Sequence, residues 1–158
     1  MTLSTHLAVS GSVMVCVGDP ALAITINVVL HPVLDAVPHA EWSTFVNARR
    51  REVGKGATLM LIDLIATGYV IWLLCQLTLP TRYLIAGLLA GSWMDWLQPF
   101  LHPLWPTFTR WHVWTHSWPM PAVEPIDWDK SFTGRTPTRV KLMIQLTLTY
   151  IAICILRS

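Results

Sequence analysis

At 158 residues and 17.8 kDa, the chain has the length of one domain. Charged residues make up 13%, against about 25% in a typical globular protein, while 53% are apolar and the mean hydropathy is +0.49. That balance excludes a disordered chain, and a net charge of +2 argues against tracking nucleic-acid phosphates. The chain reads as an all-α integral membrane protein: a single domain, 1–158, forming a bundle of four spans with an extra N-terminal half-depth helix. Cys16, Cys75 and Cys154 lie in apolar runs without CxxC spacing, so they read as small buried hydrophobes.

The first apolar stretch, His6–Val17, has 12 residues, too few to cross a hydrocarbon core that needs about 20. No Lys or Arg precedes Arg49, so it does not read as a signal peptide and is expected to be retained. Gly18-Asp19-Pro20 signals a turn, and a second apolar segment follows over 21–37. A span is predicted over 57–79, ended by Pro80, and another over 83–101, apolar apart from Asp95. Residues 102–138 read as an interfacial loop, because seven of the nine tryptophans fall in 93–128 and indoles favour the headgroup level. A last span is predicted over 139–156, with Lys141 and Arg157 snorkelling at its ends.

Orientation follows from charge. The stretches 40–56 and 102–141 fall on one side of this topology and carry 9 of the 11 basic residues. Only Arg82 and Arg157 fall opposite, so the positive-inside rule makes the basic side cytoplasmic. The run Arg49–Arg51 reads first as a topology signal; it also suits attraction to anionic headgroups.

Ionisable side chains sit where a membrane disfavours them. His31, Asp35 and His39 recur at i, i+4 and i+8, with Pro32 and Pro38 among them. On a helix this is one stripe, in which Asp35 and His39 are neighbours able to share a metal and His31 lies deeper. Asp63 and Asp95 lie within spans, and His112 and His116 form another i, i+4 pair. If the first helix is antiparallel to the second, His6 returns to the same side. Carboxylates inside spans cost at least about 2.5 kcal/mol each and call for a cation. Imidazole with carboxylate is a donor set for zinc, with manganese or iron as alternatives. The candidate metal ligands are therefore His6, His31, Asp35, His39, Asp63, Asp95, His112 and His116. A lone intramembrane Asp also serves as a helix–helix hydrogen-bonding residue, and Asp63 admits both readings. His102, before Pro103, reads as an interfacial loop residue.

The order of these motifs resembles a family of small bacterial integral membrane proteins related to the membrane-bound metal-dependent hydrolases. The likeness runs through Thr5-His6-Leu7, the His31-to-His39 signature with Pro38 in place, Asp63 early in the next span, Gly87 to Gln98 with Asp95, and His112-Val-Trp-Thr-His116. This chain departs from the pattern at Met94, where the family has Pro, and at Leu30 and Pro32 around the first signature. More remotely, the ligand types and their order are similar to those of the zinc-dependent phospholipase C and P1 nuclease group.

The resemblance implies a metal-dependent hydrolase of the bacterial inner membrane, with a His/Asp centre facing the cytoplasm and a phosphoester, such as a lipid phosphate, as substrate. Asp95 and Arg110 are then the candidate catalytic residues, with Arg110 neutralising a substrate phosphate. Membrane lipids are the expected partners; nucleic acid is not. Two other classes use the same cluster: an ion or proton pathway, which four spans would build as an oligomer, and a non-catalytic membrane subunit. No glycine-rich phosphate loop or Ser-His-Asp order appears in the sequence.

Overall fold

The computed structural model describes residues 2–40, 53–101, 105 and 136–158. Among these it is all-helical, with α1 (Leu3–Val17), α2 (Pro20–Ala36), α3 (Val53–Leu74), α4 (Thr81–Gly91), α5 (Trp93–Leu101) and α6 (Thr138–Arg157). Two of them, α3 and α6, are long and apolar enough to cross a membrane.

The helix ends follow from local chemistry. Gly18, at φ 71°, closes α1, a left-handed conformation that glycine adopts without steric cost. Asp19 then caps α2 by accepting from Leu22 N at 2.7 Å, and Pro20 occupies the first turn, where a missing N–H costs nothing. The predicted turn is thus present. The predicted span 83–101 is instead interrupted at Ser92, whose N–H turns to Leu89 O at 3.3 Å and whose hydroxyl donates to Leu88 O at 3.0 Å. A Gly-Ser pair is a common place for a helix to break.

The short first helix lies at the centre of the bundle. It packs against α2, α3, α4 and α6 and buries Ser4, Thr5, His6, Leu7, Ala8, Ser10, Gly11, Ser12 and Met14. Small and hydroxyl-bearing residues let backbones approach closely and hydrogen-bond across helices, which suits an interior position in a membrane bundle. Where α1, α3 and α6 meet, Leu7, Ala8, Val70, Leu73, Leu74, Ala152 and Leu156 form an apolar core. On the α2 and α4 side the filling is polar and small. The Asn27 amide donates to Ser10 O and to Gly87 O, both at 3.2 Å.

Cross-helix pairs fix the directions. Ser4 with Asp63 and Gly11 with Leu74 make α3 parallel to α1. Thr2 with Gln145 and Ser12 with Ala152 do the same for α6. His6 with Asp35 and Ser10 with Asn27 make α2 antiparallel to α1, and Ser10 with Gly91 and Met14 with Gly87 place α4 likewise. The start of α1, the end of α2 and the starts of α3 and α6 therefore share one end of the bundle. Arg82 and Arg157 lie at the other.

The exterior is apolar. Met60, Leu61, Ile62, Leu64, Ile65 and Trp72 on α3, and Met143, Leu146, Tyr150 and Ile151 on α6, are all exposed. Each of these helices buries only 22% of its most apolar stretch, unlike the core helix of a water-soluble domain. Two expectations about side chains change. Cys16, Cys75 and Cys154 are exposed on this apolar surface rather than buried. Lys141 does not snorkel outward: it is 3% exposed, because it lies on the stripe of α6, with Gln145, Ala152 and Leu156, that faces the bundle interior.

Candidate metal centre

Three helices converge on one buried cluster at the end of the bundle where α1 begins. α1 supplies His6, α2 supplies His31 and Asp35, and the first turn of α5 supplies Asp95. His6, His31 and Asp95 each offer a ligand atom, and these atoms lie within 4.8 Å of one another. Asp35 lies between the two imidazoles: its Oδ1 is 3.2 Å from His6 Nε2 and its Oδ2 is 3.0 Å from His31 Nε2. Asp95 Oδ1 is 3.9 Å from His31 Nε2. The two rings stack with centroids 4.6 Å apart, a spacing that disfavours a proton charge on both at once.

The tautomer of His31 can be read from its surroundings. Its Nδ1 lies 2.7 Å from Gly91 O, an acceptor only, so Nδ1 carries the proton. In the neutral ring the Nε2 lone pair then faces the carboxylates of Asp35 and Asp95. Lone pair against carboxylate is repulsive without a cation between them, either a second proton on the ring or a metal. An imidazole held by a backbone carbonyl through one nitrogen, with the other nitrogen turned to carboxylates, is the usual outer-shell arrangement of a histidine metal ligand. His6 fits as well. Its Nδ1 is buried without a hydrogen-bond partner among the described residues, which costs about 1–3 kcal/mol if left so. The donor set, two imidazoles and a carboxylate, suits a borderline or hard divalent cation.

His6, His31 and Asp35 are closed off from solvent, whereas the Asp95 side chain is 45% exposed. Among these four residues, Asp95 is the one open to solvent.

The sequence-predicted residues separate on this geometry. The pairing within the first signature is His31 with Asp35 and not Asp35 with His39. Helix α2 stops at Ala36, Val37 is extended (φ −71°, ψ 133°), and the i, i+4 relation to His39 is lost. His39 is buried outside the three-residue group, with Nδ1 donating to Val37 O at 2.7 Å. Asp63 is also outside it. Its Oδ2 accepts from Leu3 N at 3.2 Å, and its Oδ1 accepts from Ser4 N at 3.1 Å and Ser4 Oγ at 2.5 Å. The carboxylate thus caps α1 from another helix, taking the place of Thr2, whose hydroxyl accepts from Gln145 Nε2 at 2.6 Å. Arg110, His112, His116, His102 and the run Arg49–Arg51 lie outside the described residues.

Two contributors were not anticipated. Gly91 supplies the carbonyl that fixes His31. Pro32, expected only to kink α2, leaves the helix running through it and removes the N–H that Val28 O, four residues earlier, would accept. That carbonyl instead accepts the Trp93 indole N–H at 3.0 Å, which docks the start of α5 on α2. The tryptophan two residues before an acidic candidate was the available signal.

Compared with protein-family models, curated proteins and solved structures, the chain matches none.

Proposed function

We propose that the protein is a membrane-bound, metal-dependent hydrolase acting on a phosphoester, with a lipid phosphate at the cytoplasmic face of the inner membrane as its substrate. The observation that carries this reading is the convergence of His6, His31 and Asp95 within 4.8 Å, with Asp35 between the imidazoles, inside a bundle whose exterior is apolar. The resemblance of the motif order to that of the membrane-bound metal-dependent hydrolases supports it. So does the charge asymmetry of the sequence, in which 9 of the 11 basic residues fall in 40–56 and 102–141.

In this reading His6, His31 and Asp95 hold a divalent cation, zinc by donor type, and His112 and His116 add to the ligand set. When bound, the cation supplies Lewis acidity toward a phosphoryl oxygen and makes a water acidic enough to attack at neutral pH. The chain's own residues do the rest. Asp35 orients the His6 imidazole through Nε2, Gly91 O keeps the proton of His31 on Nδ1, and the buried side of the cluster excludes bulk water. Asp95, half-exposed, faces the incoming phosphoester, and Arg110 neutralises its charge.

The test is metal content by mass spectrometry on detergent-purified protein, paired with hydrolysis of a short-chain phospholipid. Stoichiometric metal in the wild type, lost in His31→Ala and Asp95→Ala together with at least a 100-fold drop in hydrolysis, is the expected result. Wild-type protein without metal above trace overturns it. Ion flux in proteoliposomes without any hydrolysis would assign the cluster to an ion pathway instead.

A further inference from the structure

The interruption between α4 and α5 stands beside every ligand of the candidate centre. Gly91 is the last residue of α4, where helix carbonyls lack partners along the helix, and its carbonyl is the acceptor 2.7 Å from His31 Nδ1. The same residue is the contact point between α4 and α1. A Cβ built on Gly91 would lie 1.7 Å from Ser10 Oγ, 2.7 Å from Ser10 Cβ and 3.9 Å from His6 O. The Ser10 hydroxyl can rotate away from such a methyl group. Its Cβ cannot, so α1 would have to retreat, carrying His6 with it. The break that begins at Ser92 (φ −133°, ψ 17°) then starts α5, which presents Asp95 in its first turn.

We propose that Gly91 is the positioning residue of the metal centre: its carbonyl selects the His31 tautomer, and its missing side chain sets the distance of His6 from His31 and Asp95. The proposal rests on the metal reading above. Gly91 touches neither metal nor substrate in it; it acts through His31 and His6. Loss of an outer-shell partner of a histidine ligand typically weakens metal binding about 10–100-fold.

Cobalt(II) titration of the detergent-purified full chain tests this, because the visible absorption of bound cobalt reports ligand geometry and a merely structural residue leaves it unchanged in protein that remains folded. The wild type, Gly91→Ala, Ser10→Gly and the double variant Gly91→Ala/Ser10→Gly are compared, with helicity measured on each. Gly91→Ala, which keeps the carbonyl but pushes α1 and His6 away, is expected to bind cobalt at least ~10-fold more weakly with an altered spectrum. Ser10→Gly should keep the wild-type spectrum, and the double variant, in which the clash is relieved and the carbonyl is retained, should recover it. If Gly91→Ala does not fold, the double variant decides: folded protein with the wild-type spectrum supports the proposal. A folded double variant without that spectrum, or a folded Gly91→Ala with wild-type affinity and spectrum, overturns it. A wild type that takes up no cobalt overturns the metal reading itself, a distinct outcome.

Discussion

Asp63 shows how one side chain can satisfy a sequence rule for two different reasons. A carboxylate within a span calls for positive charge, and the partial positive charge of the unpaired peptide N–H groups at a helix start is one source of it. Here the start of α1 takes that role, through Leu3 N and Ser4 N. The two roles separate by experiment. Asp63→Ala should lower stability by about 1–2 kcal/mol, the range for loss of a helix cap, measured by denaturant unfolding in detergent. It should leave the metal stoichiometry of folded protein unchanged. A variant that unfolds like the wild type but has lost its metal would make Asp63 a ligand. His39 differs from His31 by a similarly small margin in sequence: both sit four residues from Asp35, and only the one inside the helix reaches it.

At the scale of elements, the helices were legible because hydropathy and turn chemistry are local. The turn at Gly18-Asp19-Pro20 and the last span at Thr138–Arg157 follow directly from residue types. The break at Ser92 and the central place of α1 were not legible, since both depend on packing. The small residues Ser10, Gly11 and Gly91 read as weak membrane sequence until a neighbour is placed against them. The candidate site was legible in its residue types, His6, His31, Asp35 and Asp95, and in its location at one end. It was not legible in its pairing, which turns on α2 ending at Ala36. The Pro32–Trp93 relation belongs to this scale too, because a proline on α2 opens the seat for a tryptophan on α5. Trp93→Phe should cost about 0.5–1.5 kcal/mol with Pro32 present. In a Pro32→Ala background the restored N–H competes for Val28 O, so the cost should shrink. A double-mutant cycle on unfolding free energies measures the difference, and additivity of the two substitutions would remove the proposed latch.

Among the described residues, hydroxyls, amides and the His/Asp cluster lie inside beside a small apolar core, and the outward helix faces carry leucine, isoleucine and tryptophan. An apolar exterior without a driving force for burial is what lipid permits and water does not. The exposed Cys75, just past the end of α3, lies at the end opposite the cluster. With the site end cytoplasmic, a membrane-impermeant maleimide should label Cys75 in intact spheroplasts. Labelling that appears only after permeabilisation would reverse the orientation.

The place of α1 also bears on how the chain is born. Its partners Gln145, Thr149, Ala152 and Leu156 are translated about 140 residues after it. α1 thus leaves the ribosome well before α6, and its hydroxyl-rich flank must be sheltered in the meantime by α2 or by the insertion machinery. Removing the C-terminal segment would therefore take away one of the four helices that hold α1, and His6 with it, in line.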